Sequence, residues 1–183
     1  MKLRHLFFAC SGVFVMMFSL LLLVVIVFSD EEDGGSGGNL IYGGVSVSQE
    51  VLAHKPMLEK YAREYGIEEY LNVLLAIIQV ESGGTLKDVM QSSESLGLPP
   101  NSLSTEESIK QGCKYFSELL AAAETKGCDL NSVIQSYNYG GGFLDYVAGR
   151  GKKYTFELAE SFARDKSGST QNFRQAALPD LIS

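Results

Sequence analysis

Glu81 is where chemistry enters this chain. It follows a stretch in which Leu71, Val73 to Ile78 and Val80 leave only Asn72 and Gln79 polar, and it is followed at once by Ser82-Gly83-Gly84. A helix apolar nearly all round is a central, buried one, and paired glycines let the backbone turn sharply at its end. A carboxylate closing such a helix faces the negative end of the helix dipole and apolar packing, and both disfavour its ionised form. A carboxylic acid kept protonated near neutral pH can protonate the leaving oxygen of a glycosidic bond. The plain alternative is an exposed last-turn glutamate.

Asp88 stands seven residues on, across the glycine turn, where the loop can fold back and bring a second carboxylate near the first. An inverting glycoside hydrolase holds its base about 6.5–9.5 Å from its acid, with a water between them. Asp88 suits a helix cap before Val89 equally well. Glu94 is a weaker candidate of the same kind. Ser136-Tyr137-Asn138-Tyr139-Gly140-Gly141-Gly142 joins aromatic faces, an amide and bare backbone within seven residues. Sugars are held by such stacking and hydrogen bonding, although a plain helix terminus with core tyrosines explains the string too.

The elements that must position these residues are helical. Ser48 caps a helix carrying Val51, Leu52, Met57, Leu58 and Tyr61, bent or re-started near Pro56 and ended by Gly66. Leu98-Pro99-Pro100-Asn101 is a turn, and Ser104 with Glu107 forms a capping box for a helix that Gly127 stops. Asp129 caps the next helix, which the three glycines at 140–142 break. A short segment from Phe143 to Val147 and a last helix around Phe156 to Phe162 complete a small all-α domain, with no alternation that suggests a sheet.

Upstream, Leu6 to Phe28 runs 23 residues without a charged, amide, imidazole or proline side chain. As a helix it reaches roughly 34 Å, enough to cross a bilayer core. Lys2 and Arg4 precede the run and Asp30, Glu31, Glu32 and Asp33 follow it, so residues 1–5 are expected inside and the domain outside the cell membrane. A cleaved signal peptide is the competing reading, but its apolar core is usually about 7–15 residues. Residues 29–47, acidic and then Gly-rich, read as a flexible tether. The domain is expected at 48–168, with a loosely ordered polar tail at 169–183.

The chain of 183 residues carries a formal charge of −7, and no basic cluster exceeds Lys152-Lys153. Nucleic-acid binding is excluded on that ground, and beyond the anchor the charge becomes more negative still. Cys10 lies in the apolar run, while Cys113 and Cys128 flank one helix roughly 20 Å apart, too far for a disulfide. With His54 the one histidine beyond the anchor and nothing local to orient it, neither a Cys-His nucleophile nor a metal site is expected, and no cofactor is called for.

Taken in order, Glu81-Ser82, Val89-Met90-Gln91 and Ser136-Tyr137-Asn138-Tyr139-Gly140 resemble the Glu-Ser, Gly-Leu-Met-Gln and Ala-Tyr-Asn-Ala-Gly motifs of soluble lytic transglycosylases and goose-type lysozymes. Most similar is the muramidase domain of CwlT-like two-domain cell-wall hydrolases of Gram-positive conjugative elements, over most of residues 56 to 168. The resemblance implies a lysozyme-like helical domain that cleaves the β-1,4 bond from N-acetylmuramic acid to N-acetylglucosamine in peptidoglycan. It makes Glu81 the general acid and puts Asp88 where those muramidases have their second essential carboxylate. It implies substrate binding at Ser82, Gln91, Glu94, Tyr137, Asn138 and Tyr154, the last matching a tyrosine that steadies the catalytic glutamate, within a poorly kept motif.

The stretch from Glu81 to Met90 is shorter than in soluble transglycosylases, and Asp88 replaces their first motif glycine. Because an added carboxylate favours activating water, hydrolysis is expected over a transglycosylase's anhydro product. CwlT-like proteins continue into a Cys-His peptidase domain, so the expectation for a chain ending at Ser183 is a muramidase without crosslink cutting. Its expected role is local wall opening for conjugative transfer beside secretion-channel proteins. The reading from another class is a catalytically silent wall-binding or assembly module.

Overall fold

The computed structural model describes the backbone of residues 41–42 and 45–176 and the side chains of residues 47–166. The apolar run expected to cross the membrane lies outside these residues. Among the described residues no helix is long and apolar enough to cross a membrane.

The described residues are helical, as the periodicity predicts, apart from one hairpin. Strand β1 (Ile41–Tyr42) pairs antiparallel with β2 (Val45–Ser46), with Ile41 opposite Ser46 and Tyr42 opposite Val45. This pairing falls inside the stretch read as a tether. Two residues per strand are too few to show an alternating pattern, so the sequence carried no sign of it.

The chain divides into two compact units, one ending at Ala121 and the other beginning at Ala122. In the first, α1 (Gln49–Leu52) is a single turn capped by the Ser48 hydroxyl, which accepts from the Val51 amide. Ala53 and His54 separate it from α2 (Lys55–Glu64), which has Pro56 in its first turn, where the missing N–H costs nothing. Gly66, at φ +67°, turns the chain after it. A 3-10 turn, Glu68–Tyr70, then feeds α3 (Leu71–Ser82), whose residues Val73 to Ile78 are all buried. A loop holding a second 3-10 segment, Ser92–Leu96, leads to α4 (Thr105–Lys126). The expected capping box is present there, with the Ser104 amide and hydroxyl both donating to Glu107 Oε2, at 3.0 and 2.6 Å.

Val51, Leu58, Ile77, Met90, Ile109 and Phe116 are fully buried in this unit. Burial of this kind stabilises by about 1.5–3 kcal/mol for each large apolar side chain and holds α3 in place.

In the second unit, α4 ends at Gly127 (φ +70°), and the Asp129 carboxylate caps α5 (Leu130–Tyr139) by accepting from the Ser132 amide at 3.0 Å. After Gly140 come α6 (Gly142–Ala148) and α7 (Phe156–Ala176). Phe143 centres an aromatic cluster, its ring 5.3 Å from Phe162, 5.4 Å from Tyr139 and 6.4 Å from Tyr154. Helix α7 runs past residue 168 into the stretch expected to be loosely ordered. Polar residues do not end a helix by themselves, and no proline occurs between Pro100 and Pro179. Cys113 and Cys128 are free thiols, as expected.

Candidate active site

Glu81 occupies the last turn of α3 and is buried. Its carboxyl is pushed up to about 8, first by burial and then by the charges of Glu94 and Asp88. The helix ends directly beyond it through Gly83 (φ +59°), whose amide donates to the Gln79 carbonyl. Gly84 (φ +77°) lies so close to the preceding segment that a Cβ there would sit 2.7 Å from the Val51 nitrogen and 2.9 Å from the Glu50 carbonyl oxygen. Only glycine tolerates both the angle and the approach.

Ser82 ties this turn to the next strand of loop. Its hydroxyl donates to the Val89 carbonyl at 2.7 Å and accepts from the Gly84 amide at 3.0 Å. The hydroxyl is thus engaged within the fold.

Asp88 is wholly buried, and both carboxylate oxygens are occupied. Oδ1 accepts from the Ser92 amide (2.9 Å) and the Ser108 hydroxyl (2.6 Å), and Oδ2 accepts from the Ser93 amide (3.2 Å). The sequence offered a base or a cap at this position, and the geometry is that of a cap for the 3-10 segment. Ser108, on α4, completes the network by accepting from the Met90 amide, while its carbonyl accepts from the Ser92 hydroxyl.

Gln91 adopts a left-handed backbone (φ +46°), and its side-chain amide donates back to the Asp88 carbonyl at 2.7 Å. A non-glycine residue held there stores strain that its surroundings must outweigh. Glu94, in the segment that Asp88 caps, is exposed. Glu81, Ser82, Asp88, Gln91 and Glu94 therefore belong to one unit, with the charges of Asp88 and Glu94 both felt at Glu81.

Tyr137, Asn138 and Tyr154 belong to the second unit. Tyr137 is buried and Asn138 half-buried at the end of α5. The Tyr154 amide donates to both oxygens of Asp129 at 3.1 Å, which fastens it to the start of α5. Its hydroxyl is buried without a hydrogen-bond partner among the described residues, and burial followed by the Glu157 charge pushes it up to about 12. No group of His, Cys, Asp and Glu among the described residues is arranged to hold a metal ion.

The family model described as Lysozyme-like matches residues 48–178. The chain belongs to the lysozyme-like family. The lysozyme-like domain is 44% identical over 124 residues to the bifunctional muramidase/DL-endopeptidase CwlT of Bacillus subtilis, a match covering 67% of this chain and 37% of that protein. It is 36% identical to the membrane protein YocA of the same organism, over 70% of this chain and 62% of the relative. The chain thus spans less than two thirds of the length of either relative. A Staphylococcus aureus crystal structure, described as similar to a lipoprotein of the NLP/P60 family, is 74% identical with a TM-score of 0.68. That match covers 68% of this chain and 42% of the other. The resemblance read from the three motifs holds: this is a CwlT-like lysozyme-like domain.

Three residues of the lysozyme-like domain's acid turn escaped the sequence reading. Ser108 is one, an ordinary helix serine until the fold sets it on Asp88. His54 and Gln79 are the others. The His54 ring meets the Gly84 carbonyl at 2.9 Å, and the Gln79 side-chain oxygen accepts from the Ser48 amide at 2.8 Å. Sequence separations of about thirty residues hide both contacts, and only the Gly83-Gly84 pair hinted that another segment comes close.

Proposed function

We propose that this lysozyme-like domain is a muramidase that hydrolyses peptidoglycan at the β-1,4 bond from N-acetylmuramic acid to N-acetylglucosamine, with Glu81 as general acid. The observation that carries the reading is a buried carboxyl at the end of an apolar helix, pushed up to about 8 and so holding its proton at neutral pH. The muramidase named in the Bacillus subtilis relative supports the substrate.

For the second carboxylate the geometry favours Glu94. Both Asp88 oxygens accept from Ser92, Ser93 and Ser108, whereas Glu94 is exposed and acts on Glu81 more strongly. In this reading Glu94 draws the proton from the attacking water, and Asp88 holds the segment that carries Glu94. Gln91 in the first unit, and Tyr137 and Asn138 in the second, are each proposed to contact glycan, with Ser82 and Tyr154 bracing the segments of their own units.

The engagement of Asp88 also supports a second reading. Without a base beside the acid, the muramic acid's own hydroxyl attacks and the enzyme is a lytic transglycosylase. Digesting purified peptidoglycan with the full chain and reading the fragments by mass spectrometry separates the two. Reducing muramic-acid ends, lost in Glu81→Gln, are expected; 1,6-anhydro ends select the transglycosylase. No fragments from a folded protein select a wall-binding module.

The domain is proposed to work outside the cell membrane, anchored through residues 6–28 and opening the wall locally for a conjugative channel. The apolar run with its basic flank supports the anchor, as do a relative named as a membrane protein and another described as similar to a lipoprotein.

A further inference from the structure

Helix α1 is too short to persist on its own, since a helix of fewer than about 12 residues is marginal in water. It is held in place by the acid turn. The Ser48 amide donates to Gln79 Oε1 at 2.8 Å, His54 Nε2 lies 2.9 Å from the Gly84 carbonyl oxygen, and the bare Cα of Gly84 is packed on the Glu50–Val51 backbone. These contacts bracket Glu81 in sequence, two residues before it and three after it.

We propose that the segment Ser48–His54 is a clamp on the acid turn and that His54 is a positioning residue for Glu81. The proposal rests on the reading of Glu81 as the general acid. A carbonyl oxygen only accepts, so the His54 nitrogen facing it carries the proton. What His54 supplies is a second hold on a turn of two left-handed glycines, beside the Ser82 hydroxyl that accepts from the Gly84 amide. Held at Gly84 and Gln79, the helix end keeps Glu81 sealed from water and aimed. Released, the glycines let water reach the carboxyl and let it wander, and a misplacement of about 1 Å costs about 100-fold in rate.

The test uses the full chain with purified peptidoglycan and four forms: wild type, His54→Ala, His54→Gln and Glu81→Gln. His54→Ala is expected to lower kcat about 10- to 100-fold with KM nearly unchanged. The alkaline limb of its pH profile moves to lower pH, because the groups facing Glu81, the Glu94 and Asp88 carboxylates, are unaltered and only its shielding is lost. His54→Gln, whose amide donates to the same carbonyl, restores most of kcat. Amide hydrogen exchange over residues 81–85 is expected to quicken in His54→Ala and to recover in His54→Gln. Unchanged kcat and limb in a folded His54→Ala protein, or an equal loss in both histidine variants, overturns the proposal. Should His54→Ala fail to fold, Gln79→Leu tests the other end of the clamp and is expected to show the same drop in kcat and the same shifted limb. An active Glu81→Gln protein sinks the acid reading instead, which keeps the two failures apart.

Discussion

At the scale of single residues, the domain separates two acids by what surrounds them. Glu81 is buried next to negative charge, which favours its protonated form, whereas the wholly buried Asp88 carboxylate accepts hydrogen bonds from Ser92, Ser93 and Ser108. Activity that needs the Glu81 proton is expected to persist to about pH 8 and fall above it, as read from the pH dependence of kcat/KM. The same shift acts on stability. The folded-state value is raised, so the contribution of Glu81 is full below the ordinary carboxylate range and is lost as pH rises through about 8. Glu81→Gln is therefore expected to raise the unfolding free energy at pH 9 by about a few kcal/mol, read in urea unfolding, and to have little effect at pH 5. Removing Asp88 strands three donors. Asp88→Ala is expected to lose about 3 kcal/mol in urea unfolding, and Glu94→Gln to lower kcat with the urea midpoint unchanged.

Elements place these residues through their ends more than their interiors. Helix α3 carries Glu81 on its last turn and closes with Gly83, while the 3-10 segment at Ser92–Leu96 carries Glu94 and opens on Asp88. In the second unit Asp129 has a double task, capping α5 and receiving the Tyr154 amide. Asp129→Ala removes both, and thermal unfolding is expected to show a loss of about 2 kcal/mol, at the upper end for a helix cap. Asp129→Asn, which keeps an accepting oxygen, loses about half as much. Gly84→Ala is the harshest single change, for its Cβ would meet backbone atoms that cannot rotate away. It is expected to destabilise the first unit by about 3 kcal/mol, measured in the same experiment.

At the scale of the whole molecule, the proposed anchor predicts that the full chain sediments with membranes and that deleting residues 6–28 releases it; a full chain that stays in the supernatant removes the anchor from the account. Local signals determined much of the rest. The apolar run through α3 named the buried helix, Ser48, Ser104 and Asp129 marked three helix starts, and the glycines at 66, 83, 127 and 140 marked the ends. Each of these depends on neighbours within about four positions, which is the reach of a helical hydrogen bond. Three ordered motifs likewise sufficed for the family, because their identity and order survive without coordinates. The hairpin at 41–46 and the length of α7 escaped, one too short to show a period and the other lacking any residue that forces a stop. Only the tertiary structure decided that Ser108 donates to Asp88 and that His54 meets Gly84 across thirty residues. Those are pairings of residues 20 and 30 positions apart, beyond the reach of any interaction along one helix turn, so no local energy difference in the sequence selects them.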